Sequence, residues 1–269
     1  YEDKLNSSQI SKYFYKKNSE IKSLLESRAK QIESESKIFS ILYDLQMNHT
    51  KAKYADTESE KNNLSIFIEK CEEYLNKIEK KEIASYNKKA VQGWYEKITA
   101  QKKAVLEEES LYKKLLGAYQ AWNNQSAWAD ASVEIEHLEK ALQYCNSYKT
   151  RATHFEISAY YSKTVFQYIE KLEKRKKAVD EDKNLFTSIK KEYQSISTKT
   201  YDDLSIKQKE MKSFITACED YKNKAESKQI SPYHLKEVSD WLELMSKNIK
   251  QLDDIFTLYN EIKNSYNRW

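Results

Sequence analysis

The residues of this chain whose types could support chemistry are three cysteines, four histidines and a few short runs of acid and base. The cysteines stand at Cys71, Cys145 and Cys218, spaced 145 − 71 = 74 and 218 − 145 = 73 residues. Thiols recurring at a fixed interval could form a redox or ligand-binding series, but their surroundings favour a plainer role. At −7 stand Leu64, Leu138 and Met211; at −3, Ile68, Leu142 and Ile215; at +3, Tyr74, Tyr148 and Tyr221. Offsets of −7, −3, 0 and +3 trace one stripe of an α-helix. Each cysteine therefore reads as a small apolar residue in a helix seam. Equivalent positions of successive repeats lie beyond the Cα separations of about 4.4–6.8 Å that a disulfide needs. Unpaired thiols lean towards a reducing, cytoplasmic compartment, with the cell surface as the alternative.

The other candidates are weaker. His49, His137, His154 and His234 have no metal-ligand spacing to one another or to the cysteines. Glu134, Glu136 and His137 share a stretch without forming HExxH. The basic run Lys174–Lys177 is followed at once by Asp180-Glu181-Asp182. That order reads as a solvated helix face crossed by intrahelical ion pairs rather than an anion or membrane patch. With 2 Gly in the whole chain, a glycine-rich phosphate cradle or a nucleophile elbow has nothing to be built from. The expectation is a protein without catalytic residues, metal or cofactor. Trp122 and Trp128 flank one turn where the next copy carries Ile196 and Tyr201. These two tryptophans are candidate partner-binding residues, since exposed Trp often anchors an interface; capping of a core end is the other reading. Sequons at Asn6, Asn48, Asn63 and Asn124 matter only in a secretory pathway.

The elements that carry these residues follow from the same period. Tyr54-Ala55-Asp56, Trp128-Ala129-Asp130 and Tyr201-Asp202-Asp203 precede each cysteine helix and place an Asp as its N-cap. Ile83/Tyr86, Ile157/Tyr160 and Ile230/Tyr233 follow it. Val91, Val165 and Val238 come next, and then Trp94, Tyr168 and Trp241. Leu111-Tyr112, Leu185-Phe186 and Leu258-Tyr259 close the pattern. A partial copy leads it, with Tyr1, Ile10/Tyr13 and Ile38-Phe39 displaced by 73 from Tyr74, Ile83/Tyr86 and Leu111-Tyr112. The implied division is a leading long helix over 1–47 and repeats over 48–122, 123–196 and 197–269, the whole read as a piece of a longer repeat protein.

Composition agrees: 1 Pro and 33% charged residues favour few, long, solvated helices over sheet. The spacing predicts short helices near 56–81, 130–151 and 203–227, and long ones near 11–47, 84–122, 158–196 and 231–267. Ser11, Ser158 and Ser231 are the expected caps of long helices, Pro232 the expected first helical residue, and Gly93 and Gly117 the expected points of close packing or bending. Charged midpoints divide each long helix into two apolar halves, which suggests that it serves one three-helix bundle with its first half and the next with its second. In architecture this resembles spectrin-type repeats, which implies an all-α, elongated chain of bundles; an α-solenoid is the alternative. The functional expectation is a non-catalytic scaffold or spacer that binds protein partners, with a microbial adhesin or effector as the second reading. Acidic and basic residues are interleaved at net +4, and no apolar run is long enough to span a bilayer. Neither nucleic-acid binding nor membrane insertion is therefore expected, and self-association through the apolar end of the first long helix is.

Overall fold

The structure is a computed structural model that describes residues 12–269, with side chains from residue 14 onward. Readings that involve Tyr1, Asn6, Ile10, Ser11 and the Tyr13 side chain lie outside the described residues. Seven helices and no strand occur among the described residues: α1 (Lys12–Lys51), α2 (Thr57–Glu79), α3 (Lys88–Asn123), α4 (Ala131–Thr153), α5 (Ser162–Thr198), α6 (Leu204–Glu226) and α7 (Leu235–Tyr266). Long helices alternate with 23-residue short ones.

Local chemistry sets the short helices. Asp56 and Asp203 accept the Ser59 and Ser205 N–H groups at 2.7 Å, and Asp130 accepts the Ser132 N–H at 2.5 Å. These carboxylates satisfy donors that a helix start leaves free. At the other end, Lys81, Phe155 and Lys228 take left-handed φ of 60°, 56° and 58°. Each begins a two-bond closure of the last turn; in the first, Lys81 N–H reaches Ile78 O and Glu82 N–H reaches Lys77 O, both at 2.9 Å. Glycine usually occupies such a position. This chain places lysine or phenylalanine there at the same repeat position three times.

Three of the long helices, α3, α5 and α7, begin four residues later than the sequence suggests. Ser158 and Ser231 precede the helices rather than cap them, and Pro232 lies in the turn before α7. The intervening N–H groups are used across the bundle instead. Ala84 N–H donates to Gln31 O and Ser231 N–H to Ala178 O, each at 3.2 Å.

The chain divides into two compact units, Tyr1–Tyr112 with Thr150–Ser162, and Lys113–Lys149 with Lys163–Trp269. In the first, Leu42 of α1, Leu64, Phe67, Cys71 and Tyr74 of α2, and Val91, Ile98 and Val105 of α3 form one core. In the second, Phe186, Ile189 and Ile196 of α5 meet Met211, Phe214, Cys218 and Tyr221 of α6 and Val238, Met245 and Leu252 of α7. The two cores are three-helix assemblies built from the same repeat positions. Full burial of each large apolar side chain is worth about 1.5–3 kcal/mol, so this stripe is the main source of stability. Within the second unit α5 has two sets of neighbours. Its first half stacks Tyr168 on Tyr119 of α3 at 3.8 Å, and its second half enters the α6–α7 core.

Gly93 and Gly117 sit on exposed helix faces, and a Cβ at either would meet nothing within 4 Å. The expected close packing is absent there. Gly93→Ala and Gly117→Ala should each stabilise the fold by about 0.8–1 kcal/mol through reduced backbone entropy. Urea denaturation checks this; a loss of stability at either position would contradict it.

Candidate functional site

Two rows of buried carboxylates recur with the repeat. The first row is Glu35, Glu108 and Asp182, spaced 108 − 35 = 73 and 182 − 108 = 74. All three are at most 1% exposed, although they lie on the apolar stripe of a long helix. Tyr74 donates its hydroxyl to Glu35 at 2.6 Å, and Tyr221 donates to Asp182 at 2.5 Å. The backbone N–H of Asn87 donates to Glu35 at 2.8 Å, and that of Tyr161 to Glu108 at 3.2 Å. Asn87 and Tyr161 immediately precede α3 and α5. A carboxylate of one long helix thus caps the start of the next long helix, where the helix dipole favours negative charge. This is why those starts need no serine of their own. Burial pushes the Asp182 carboxyl up despite the Tyr221 bond and the positive potential of His234. The His234 ring stacks on Phe186 at 3.7 Å.

The second row is Glu60 and Glu134, 134 − 60 = 74 residues apart. Each is the fourth residue of a short helix, 4% and 1% exposed. Tyr160 donates to Glu60 at 2.6 Å and Gln101 donates to it at 2.5 Å. Around Glu134 stand the in-phase residues Tyr233 and Arg175, with Trp122 added. Arg175 reaches both carboxylate oxygens, Nε at 2.7 Å and a terminal nitrogen at 2.8 Å. Trp122 Nε1 donates at 3.0 Å. Burial raises the Glu134 pKa, but the hydrogen bonds from Arg175, Tyr233 and Trp122 outweigh it and hold the carboxyl below its ordinary value. The tyrosine in each joint comes from the turn after the following repeat's short helix, so these contacts join one repeat to the next.

What this geometry can do chemically is narrow. An ionised carboxylate offers about four acceptor sites. Glu134 fills them with two arginine bonds, one tryptophan bond and one tyrosine bond. No lone pair is left for a substrate proton or a metal. In the first unit an open cleft of about 750 Å³ surrounds the corresponding joint. Its polar lining is a hydrogen-bonded chain: Tyr54 with His49 Nδ1 at 2.9 Å, His49 Nε2 with Gln101 at 3.0 Å, then Glu60 and Tyr160. With Tyr54 donating to Nδ1 and Nε2 donating to Gln101, every member is satisfied. The chain holds α1, α2, α3 and the turn before α5 in place.

The chain matches no protein-family model, no curated protein and no solved structure.

The residues singled out from the sequence fall as follows. Cys71, Cys145 and Cys218 are free and buried, and burial pushes their thiols up to about 12, 11 and 12. They stay protonated and poorly nucleophilic at neutral pH. Trp122 is 7% exposed, its indole tied to Glu134. Trp128 is half-buried, with its ring 4.7 Å from His137. The structure does not join the two into one exposed patch. Of the Lys174–Lys177 run, Lys176 makes the expected i,i+4 pair with Asp180 at 2.9 Å. Arg175 turns inward to Glu134, and Asp182 is buried with Tyr221, so neither belongs to the solvated face. No group of three metal-ligating side chains occurs among the described residues. No helix among them is long and apolar enough to cross a membrane.

No local motif joins these acids into two rows, although the repeat period carries a signal of the first. Glu35, Glu108 and Asp182 hold the repeat register, and each stands three residues after Ile32, Val105 and Val179 on the apolar stripe. A charge kept on a core face at a constant period announces a buried partner.

Proposed function

We propose that this chain is a non-catalytic interaction or spacer module whose successive helical units are joined through acid–tyrosine clamps. One observation carries the reading: the same joint occurs at Glu60 and at Glu134, with in-phase donors Tyr160/Gln101 and Tyr233/Arg175. Polar residues that could serve a reaction are occupied in holding repeats together, and the Glu134 carboxylate is saturated. The finer architecture fits an arrangement like that of spectrin-type repeats, with long helices shared between neighbouring three-helix bundles. A chain of units joined in this way sets a distance and displays side surfaces that grow with each repeat. On those surfaces Trp128 is the candidate anchor for a protein partner, while the Trp122 indole is tied to Glu134.

Small-angle scattering of the intact chain tests the reading. Expected is the broad, asymmetric distance distribution of a rod whose cross-section is that of a single three-helix bundle, about 20–25 Å across for helices of about 10 Å diameter. A compact, symmetric distribution would remove the spacer role. Capture of a source-cell partner undiminished by Trp128→Ala would remove that residue as the anchor.

A further inference from the structure

Glu60 and Glu134 are each held by a residue at the midpoint of the next long helix and by the tyrosine of the next turn. In repeat register the midpoint residue is Gln101 or Arg175, and 101 − 73 gives Arg28. The tyrosine is Tyr160 or Tyr233, and 160 − 74 gives Tyr86. Arg28 and Tyr86 stand together in the first unit, the guanidinium 5.6 Å from the ring centroid. Arg28 is exposed, and Tyr86 is 67% exposed where its counterparts are engaged. Beside them Leu25 of α1 is 66% exposed, whereas its in-phase residues Ile98 and Leu172 are core, at most 1% exposed.

We infer that Arg28, Tyr86 and the apolar face around Leu25 form a docking site for one further unit of this same repeat, bound through a glutamate at the fourth residue of its short helix. The inference rests on the joint described above and names its partner. Charge complementarity supports it: Arg28 repeats the type of Arg175, which grips a carboxylate with both ends of its fork. The face is also continuous in register with two joints already formed. A second copy of this chain does not supply the partner. Its Glu60 and Glu134 are engaged internally, and the third short helix carries Lys207 where they stand, 134 + 73 = 207. A lysine brought to Arg28 is repelled.

The test adds such a unit in cis. Residues 108–147 are copied ahead of Tyr1, which stands in phase with Tyr148, so the added Glu134 falls in register with Arg28 and Tyr86. In the extended chain, Arg28→Ala and Tyr86→Phe should each lower the melting temperature by several degrees; in the original chain both should leave it nearly unmoved. Changing the added Glu134 to Gln should cancel most of the Arg28→Ala effect. As a second readout, Leu25→Cys should label readily in the original chain and at least an order of magnitude more slowly in the extended one. Equal effects of Arg28→Ala in both chains, or unchanged labelling of Leu25→Cys, would overturn the proposal. So would sedimentation showing that the original chain dimerises in an Arg28-dependent way. The scattering is read on the original chain at a concentration where sedimentation finds it monomeric, so the spacer reading stands or falls separately.

Discussion

Arg175→Ala is expected to destabilise the second unit by about 3 kcal/mol at neutral pH, and more than Glu134→Gln does. The asymmetry follows from burial. The Arg175 side chain is 38% exposed and that of Glu134 is 1% exposed. Removing the acid leaves a guanidinium that water can reach. Removing the arginine strands a carboxylate in the core, and breaking a buried pair in this way costs roughly 3–5 kcal/mol. The lower end applies because Tyr233 and Trp122 still donate to Glu134 and because Arg175 is partly solvated. Glu134→Gln keeps an acceptor for both neutral donors and should cost about 2 kcal/mol, the scale of charged hydrogen bonds lost.

The pH dependence has a definite sign. The folded carboxyl of Glu134 lies below its ordinary value of about 4.3, held there against burial by its hydrogen bonds. Its contribution is therefore fully present above about pH 4.3 and disappears as pH falls through the lower folded value. In Arg175→Ala, burial acts with less opposition, the carboxyl protonates more readily, and the deficit relative to wild type should shrink on acidification. Urea titrations at neutral pH and near pH 4, followed by amide exchange in α4 and α5, measure this. Equal costs for the two substitutions, or a deficit independent of pH, would refute the clamp.

Glu35→Leu is the second large effect, expected to cost about 3 kcal/mol in the first unit. The leucine suits the apolar stripe but leaves the Tyr74 hydroxyl and the Asn87 N–H without their acceptor. An orphaned buried donor costs roughly 1–3 kcal/mol. Tyr74→Phe alone removes one donor and leaves Glu35 with Asn87, and should cost about 1 kcal/mol. The double substitution should cost clearly less than the sum, because Tyr74→Phe removes one of the donors that Glu35→Leu orphans. Strict additivity in urea denaturation would show that the pair does not interact.

Much of the fold was legible because the apolar positions keep their phase. Leu64, Cys71 and Tyr74 and their counterparts mark one helix face directly, and the observed short helices end within two residues of the expected limits. The long-helix starts were not legible, for a physical reason. Ser158 and Ser231 resemble caps, but the acceptor at α3 is Glu35 and at α5 is Glu108, more than fifty residues upstream. Local pattern cannot assign a bond of that range. The joint was hidden for the same reason: Glu134 lies 41 residues from Arg175 and 99 from Tyr233. Trp122 differs from Ile196 in the next copy, yet the sequence could not show that its indole faces an acid rather than solvent.

The capping of one long helix by the carboxylate of the previous one has a consequence for dissecting this protein. An excised single period is never self-sufficient. A cut between Glu35 and Asn87, or between Glu108 and Tyr161, strands a buried acid on one fragment and an unsatisfied helix start on the other. Fragments meant to fold alone must therefore overlap by a long helix, keeping donor and acceptor on the same piece. The unit of inheritance in the sequence is about 74 residues, but the unit that can live alone is longer by that helix.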